Sequence, residues 1–143
     1  LDYAAALPAA MRAMSGLEEV VRNSTLEPKL RELVKTRASQ LNGCAFCVDL
    51  HATDLEKLGV PTRKIYAVSA WRETTFFTGA ERAALALTEQ VTHLPDGVDD
   101  ATWQAAAEVF AERELADLVL AIGTINLWNR IGVTTHLAPP PLA

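Results

Sequence analysis

An all-helical fold is what this sequence predicts, and three observations carry the prediction. Alanine and leucine dominate, glycine and proline fall at segment ends, and no stretch alternates apolar and polar residues long enough to make a strand. Half of the 143 residues are apolar and 22% are charged, so the helices have a core to build and a solvated surface to show. At this length one domain buries a core without help from disulfides or metal. The expected organisation is therefore a single domain over residues 1–143, a bundle of about six to seven helices with a proline-rich tail from about residue 137.

Each element has its own signals. Pro8 suits a first helical turn, and Met11, Leu17, Val20 and Val21 give helical periodicity up to the polar stretch RNST. Glu27 and Pro28 suit the next start; Leu26, Leu30, Leu33, Val34 and Leu41 follow at helical spacings until Gly43 interrupts. A third helix runs from Cys44 to Leu58, where GVP supplies a glycine at the end and a proline beyond it. A shorter helix from Thr62 to Ala70 leads into a bend, WRETTFFTG, and AERAALALTEQVTHL makes the fifth helix from Ala80. PDGVDD breaks the chain, Asp100 caps ATWQAAAEVF, and Glu114 opens the last helix, ELADLVLAIGTINLWNRI. That helix is apolar nearly all round, carries Asn126 and Asn129, and has too short an apolar run to span a bilayer, which predicts a buried central helix. The tail LAPPPLA is too rich in proline to extend it.

Charge and cysteine usage narrow the function. A net charge of −5 without any Lys/Arg-rich run argues against nucleic acid or an anionic membrane as partner and favours a small substrate or another protein. Two cysteines do not make a secreted disulfide scaffold, and no signal-peptide pattern precedes the domain, so a cytoplasmic location is expected.

Both cysteines fall in one stretch, GCAFCVDLH, residues 43–51. On a helix, Cys44, Cys47, Val48, His51, Leu55 and Leu58 share a face. His51 is one turn from Cys47, close enough to hold or remove its thiol proton, and both cysteines lie in the first turn, where free N–H groups and the helix dipole favour a thiolate. Glu32 points away from the leucine face of the preceding helix, in line with Thr36 and Ser39. There it either orients a histidine or stands in solvent paired with Lys35. The residues alone leave three readings of the cysteines: thiol redox chemistry, inert core packing, or a zinc site needing His93, His136 or Glu32 as fourth ligand. No second Cys-x-x-Cys or His-x-x-x-His pair supports zinc. His93 and His136 read as cap or surface residues, Trp71, Trp103 and Trp128 as packing, WRE as an anchoring bend, and Arg72 and Glu73 as a pair across an interface.

Glu32, the Cys44-x-x-Cys47 pair and His51, with LVKTRASQLNGCAFCVDLHATDLEKLG, YAVSAWRETTFFTGAERAALALTE and INLWNRI around them, resemble the AhpD-like alkylhydroperoxidase family of the carboxymuconolactone decarboxylase superfamily, from about Leu7 to Ile131. The resemblance implies an all-helical AhpD-like bundle, a homotrimer or homohexamer, and a thiol peroxidase without cofactor or metal. Its substrate would be a small hydroperoxide and its reductant a dithiol protein or small thiol. Carried over, Cys47 is peroxidatic, Cys44 resolving, His51 the proton acceptor, and Glu32 polarises the relay. One position departs: Phe46 stands where the best-known member has a histidine, and it cannot relay protons, which implies a shorter relay or a slower peroxidase. The superfamily also contains ring-opening lactone decarboxylases, which do not need the Cys-x-x-Cys, and a non-catalytic oligomer is a further alternative. Phe46 and Leu50, with the small-residue face of Glu32, Thr36 and Ser39, suggest a subunit interface near the pocket.

Overall fold

The helix starting at Pro28 has no solvent side along most of its length, and the rest of the chain wraps around it. In the computed structural model, which describes residues 1–142, this helix is α3 (Pro28–Asn42). Before it come α1 (Tyr3–Ala6) and α2 (Pro8–Arg22). After it come α4 (Ala45–Lys57), α5 (Thr62–Tyr66), a 3-10 segment (Ala67–Glu73), α6 (Gly79–Thr92), a 3-10 turn (Leu94–Asp96), α7 (Asp100–Val109) and α8 (Glu112–Thr134). The described residues are all-helical and contain no strand. The eighth helix, beyond the six or seven expected, is α1, a single turn capped by Asp2, whose carboxylate accepts from Ala5 N at 3.0 Å.

Packing gives α3 the central place that the sequence suggested for α8. Leu30 and Val34 enter one apolar cluster with Val21, Leu87, Phe110, Leu118 and Ile122. Leu33 enters a second with Leu55, Val60, Ile65, Trp71, Phe77 and Leu85. Truncating a side chain as enclosed as Leu33 costs about 2–5 kcal/mol. The last helix is buried on one broad side only, and Val119, Leu127 and Val133 remain substantially exposed. No helix among the described residues is long and apolar enough to cross a membrane.

Capping decides several ends. Thr78 and Glu81 cap α6 reciprocally, one residue earlier than the apolar pattern begins. Asp99, not Asp100, caps α7, accepting from Thr102 N at 2.7 Å. The last helix starts at Glu112, because Glu114 reaches back to accept from Ala111 N at 2.9 Å. Trp71 is buried and donates to Glu89 Oε1 at 2.9 Å, so WRE does anchor its segment, but Arg72 pairs with Glu89 of the same chain.

The Thr36–Ser39 face is also filled from within the chain. Asn129 of α8 donates to Ser39 Oγ at 3.0 Å, and Asn42 donates to Asn129 Oδ1 and to Asn126 Oδ1, each at 2.9 Å. Buried amides that satisfy one another hold two helices at one register, because slippage would leave them unpaired. This face is therefore not available to a second subunit, and the lock fixes which turn of α8 meets the start of α4.

Candidate redox site

The site begins with a helix stop. Gly43 takes the left-handed conformation, φ 69°, and lets Cys44 N return to Ser39 O at 3.0 Å, which closes α3 and turns the chain. Cys44 is then the N-cap of α4, and its carbonyl accepts the first helical bond from Val48 N at 2.9 Å. Cys47 sits in the first turn of α4, as its spacing implied. The two sulfurs are joined in a disulfide, with Cα atoms 5.3 Å apart. Neither sulfur is then a thiolate, the form in which zinc would be bound.

One turn on, His51 is buried and its Nδ1 lies 2.8 Å from Glu32 Oε2. A carboxylate accepting from Nδ1–H fixes the tautomer and leaves the lone pair on Nε2, the nitrogen free to take a proton. Glu32 comes from the polar side of α3, so the alternative of a solvated Glu32–Lys35 pair is set aside: both residues are buried. Lys35 pairs chiefly with Glu18 of α2, whose other oxygen accepts from Trp128 Nε1 of α8 at 3.2 Å. Arg31 Nε and Lys35 Nζ stand 3.4 and 3.9 Å from Glu32 Oε1. Burial pushes the Glu32 carboxyl up, but the His51 hydrogen bond and the charges of Lys35, His51 and Arg31 outweigh it and hold the group below its ordinary value of 4.5. Glu32 is accordingly an anion at neutral pH.

Glu32, His51 and Asp54 each offer a ligand atom within 4.8 Å of the others. The group is already compensated, since Lys57 faces Asp54 at 3.2 Å while Arg31 and Lys35 face Glu32. Charge balance there requires no ion.

A cavity of about 1090 Å³ opens over these residues. Cys47, His51 and Glu32 line it, with Phe46, Trp128 and Ile131 supplying apolar wall. Cys44 does not border it, so the two sulfurs differ in access even though both are buried. Phe46 is half-buried and Leu50 exposed. As expected, His93 is a cap, the C-cap of α6, and His136 is a surface residue, exposed at the cavity edge in a left-handed turn, φ 55°, just past α8.

Four participants escaped the sequence reading. Lys35 and Glu18 are buried partners from different helices, and nothing in their spacing joins them. Trp128 does more than pack, because it steadies Glu18. Gly132 lies just past Ile131, where the sequence ends its last helix, whereas α8 runs on to Thr134; a Cβ at Gly132 would lie 2.9 Å from Cys44 Sγ.

Residues 8–90 match the carboxymuconolactone decarboxylase family. The uncharacterized protein YdfG of Bacillus subtilis (strain 168) is 40% identical over 134 residues, 93% of this chain and 91% of that protein. The crystal structure of ATU0492 from Agrobacterium tumefaciens, a protein of unknown function and candidate antioxidant defence protein AhpD, superposes with a TM-score of 0.97 at 37% identity, covering 99% of this chain and 98% of that one. The debrominase Bmp8 in its apo form shares the fold, with a TM-score of 0.85 at 20% identity over 93% of this chain and 72% of its own.

Proposed function

The chain belongs to the carboxymuconolactone decarboxylase family, of AhpD-like fold, and from that premise we propose that it is a thiol-dependent peroxidase that reduces hydroperoxides through Cys47 and Cys44. The observation that carries the reading is the buried Glu32–His51 hydrogen bond placed one helical turn from the cysteine that borders the cavity. Family membership alone leaves the chemistry open, since a debrominase has the same fold.

In the reduced protein, His51 Nε2 takes the Cys47 thiol proton, with Glu32 stabilising the imidazolium. The thiolate attacks the terminal oxygen of the hydroperoxide. An S–O bond forms, the O–O bond breaks, and the departing alkoxide takes the proton from His51 and leaves as an alcohol. Cys47 is now a sulfenic acid. The Cys44 thiol, losing its proton, attacks the Cys47 sulfur; the S–S bond forms and hydroxide leaves, protonated to water. A dithiol then returns two electrons and two protons to the pair. Phe46 contributes apolar wall instead of a proton path, which leaves His51 as the single imidazole on α4. Such a cycle fits a reducing cytoplasm, where dithiol reductants are maintained.

The reading includes assembly as a trimer or hexamer, supported by the exposed Val119, Leu127 and Val133 on α8 and by Leu50 on α4. Phe46→Asp, a charge placed on the wall beside Leu50, is expected to dissociate it, as light scattering would register. A monomeric wild type at micromolar concentration overturns this part.

The function itself is tested by counting thiols before and after one equivalent of hydroperoxide. Loss of both thiols, with a mass lower by two hydrogens, supports the cycle. Two thiols that survive the oxidant, or a cysteine that keeps added oxygen without closing a disulfide, overturn it.

A further inference from the structure

Two glycines lie inside the long α8, and they have different neighbours. Around a Cβ built at Gly123 there is nothing within 4 Å, and the residue is exposed. A Cβ at Gly132 would lie 2.9 Å from Cys44 Sγ and 3.7 Å from Cys47 Sγ. The second distance is ordinary contact; the first is closer than side chains tolerate. Glycine in a helix interior is unfavourable by about 0.5–1 kcal/mol relative to alanine, and at 132 the neighbour that an alanine methyl would press on is the Cys44 sulfur.

We infer that Gly132 is a positioning residue of the redox step: its bare Cα is the seat in which the Cys44 sulfur lies when it bonds to Cys47, and residue 132 thereby sets how readily the dithiol closes. The inference rests on the thiol redox reading of the pair.

Neither side of the contact can retreat. The Cys44 backbone is held at both of its polar groups, N to Ser39 O at 3.0 Å and O from Val48 N at 2.9 Å. In the disulfide its sulfur is also held by the bond to Cys47, which removes rotation about χ1. On the other side, Asn129, one turn before Gly132, is tied to Ser39 and Asn42, and the Gly132 carbonyl accepts from Leu137 N at 2.9 Å. A methyl group at 132 therefore presses on Cys44 Sγ in the oxidised form. A free Cys44 thiol can turn its sulfur away by changing rotamer, so the pressure falls selectively on the disulfide. The attack of Cys47 on the hydroperoxide does not need the Cys44 sulfur in its seat, whereas the resolving step does.

The experiment compares Gly132→Ala with Gly123→Ala in dithiothreitol redox buffers, reading the disulfide by alkylation and mass. Gly132→Ala is expected to lower the equilibrium constant for disulfide formation at least tenfold, a shift of about 30 mV to a more oxidising potential, with Gly123→Ala unchanged. After one equivalent of hydroperoxide, Gly132→Ala should also accumulate a sulfenic acid on Cys47 that dimedone traps. A potential equal to that of the wild type overturns the inference. To separate seating from damage to the fold, Gly132→Ala is also made in Cys44→Ala protein, and thermal unfolding of all four combinations is measured. An equal loss of stability with and without the Cys44 sulfur means that residue 132 acts through helix packing, which likewise overturns it. Relief of the loss in the Cys44→Ala background supports it. The redox equilibrium needs no peroxide, so a protein that shows the shifted potential and consumes no hydroperoxide sinks the peroxidase reading and leaves this one standing.

Discussion

Glu32 and Glu89 are both carboxylates drawn into the protein and surrounded by donors, and helix α3 serves both, carrying Glu32 itself and the Arg37 that binds Glu89 Oε1 at 2.9 Å. For Glu89, burial pushes the carboxyl up, but bonds from Arg72, Trp71 and Arg37 outweigh it and hold the group below 4.5, as happens at Glu32. The difference lies in the donors. Guanidinium and indole N–H groups keep their protons at every working pH, so the Glu89 cluster can only hold α3, α6 and the 3-10 segment together. Glu32 accepts its shortest bond from the His51 imidazole, whose second nitrogen is able to take up or release a proton, and it does so on a cavity wall. The same direction of pKa shift therefore accompanies a strut at the half-buried Glu89 and, on the proposed reading, a proton relay at the more deeply buried Glu32.

The largest effects should come from the site. Cys47→Ser is expected to abolish peroxide consumption, whereas Cys44→Ser should complete one turnover and stop at a sulfenic acid. If Cys44→Ser is the variant that fails to react at all, the roles are reversed. Next come the relay partners: His51→Gln should slow thiolate formation by about a hundredfold, the lower end for a lost general base. Glu32→Gln should slow it by about tenfold through lost orientation, and should alter the dependence of rate on pH. A Glu32→Gln profile that overlays wild type would make Glu32 a second Glu89, and the contrast between the clusters would be gone.

Glu89→Gln is the mirror experiment. Removing the anion leaves Arg37 poorly paired in a partly buried setting, so unfolding free energy should fall by about 1–3 kcal/mol while turnover stays within about twofold. The acid limb of the stability curve gives a second readout. Both carboxyls are held below 4.5 in the folded state, so the stability their charge contributes is complete above that pH and is lost as pH falls through the lower folded value. Urea titrations of wild type should therefore show a drop below about pH 4.5, and Glu89→Gln should show a shallower one.

How much of this was visible in the sequence follows from the range of each interaction. Cys44, Cys47 and His51 lie within two helical turns, so periodicity alone puts them together, and capping residues mark most helix ends to within a residue or two. Glu32 joins His51 across 19 residues, and only the likeness to a known family chose between relay and solvated pair. Contacts between distant helices left no mark at all. Lys35 reads as a surface partner for Glu32 because its neutralising Glu18 belongs to another helix. The Thr36–Ser39 face reads as an invitation to another subunit because Asn129, which fills it, stands 90 residues away from Ser39. The central place of α3 was hidden for the same reason: its charged residues look solvated until the partners that bury them are known.

The smallest effect expected is at the rim of the Glu89 cluster. Arg72 is the most exposed of its donors, with about half of its side chain in solvent, and it also stacks on the Trp71 ring at 4.1 Å. Arg37 and Trp71 hold Glu89 Oε1 from inside, so Glu89 keeps two partners when Arg72 is removed. An exposed ion pair contributes about 0.2–1 kcal/mol and is screened by salt. Arg72→Ala should accordingly lower stability by no more than about 1 kcal/mol, and the loss should shrink as salt is raised from low concentration to about 0.5 M. Urea unfolding at the two salt concentrations measures it. A loss as large as that of Glu89→Gln, unmoved by salt, would mean that Arg72 is the keystone of the strut and that the inner donors merely accompany it.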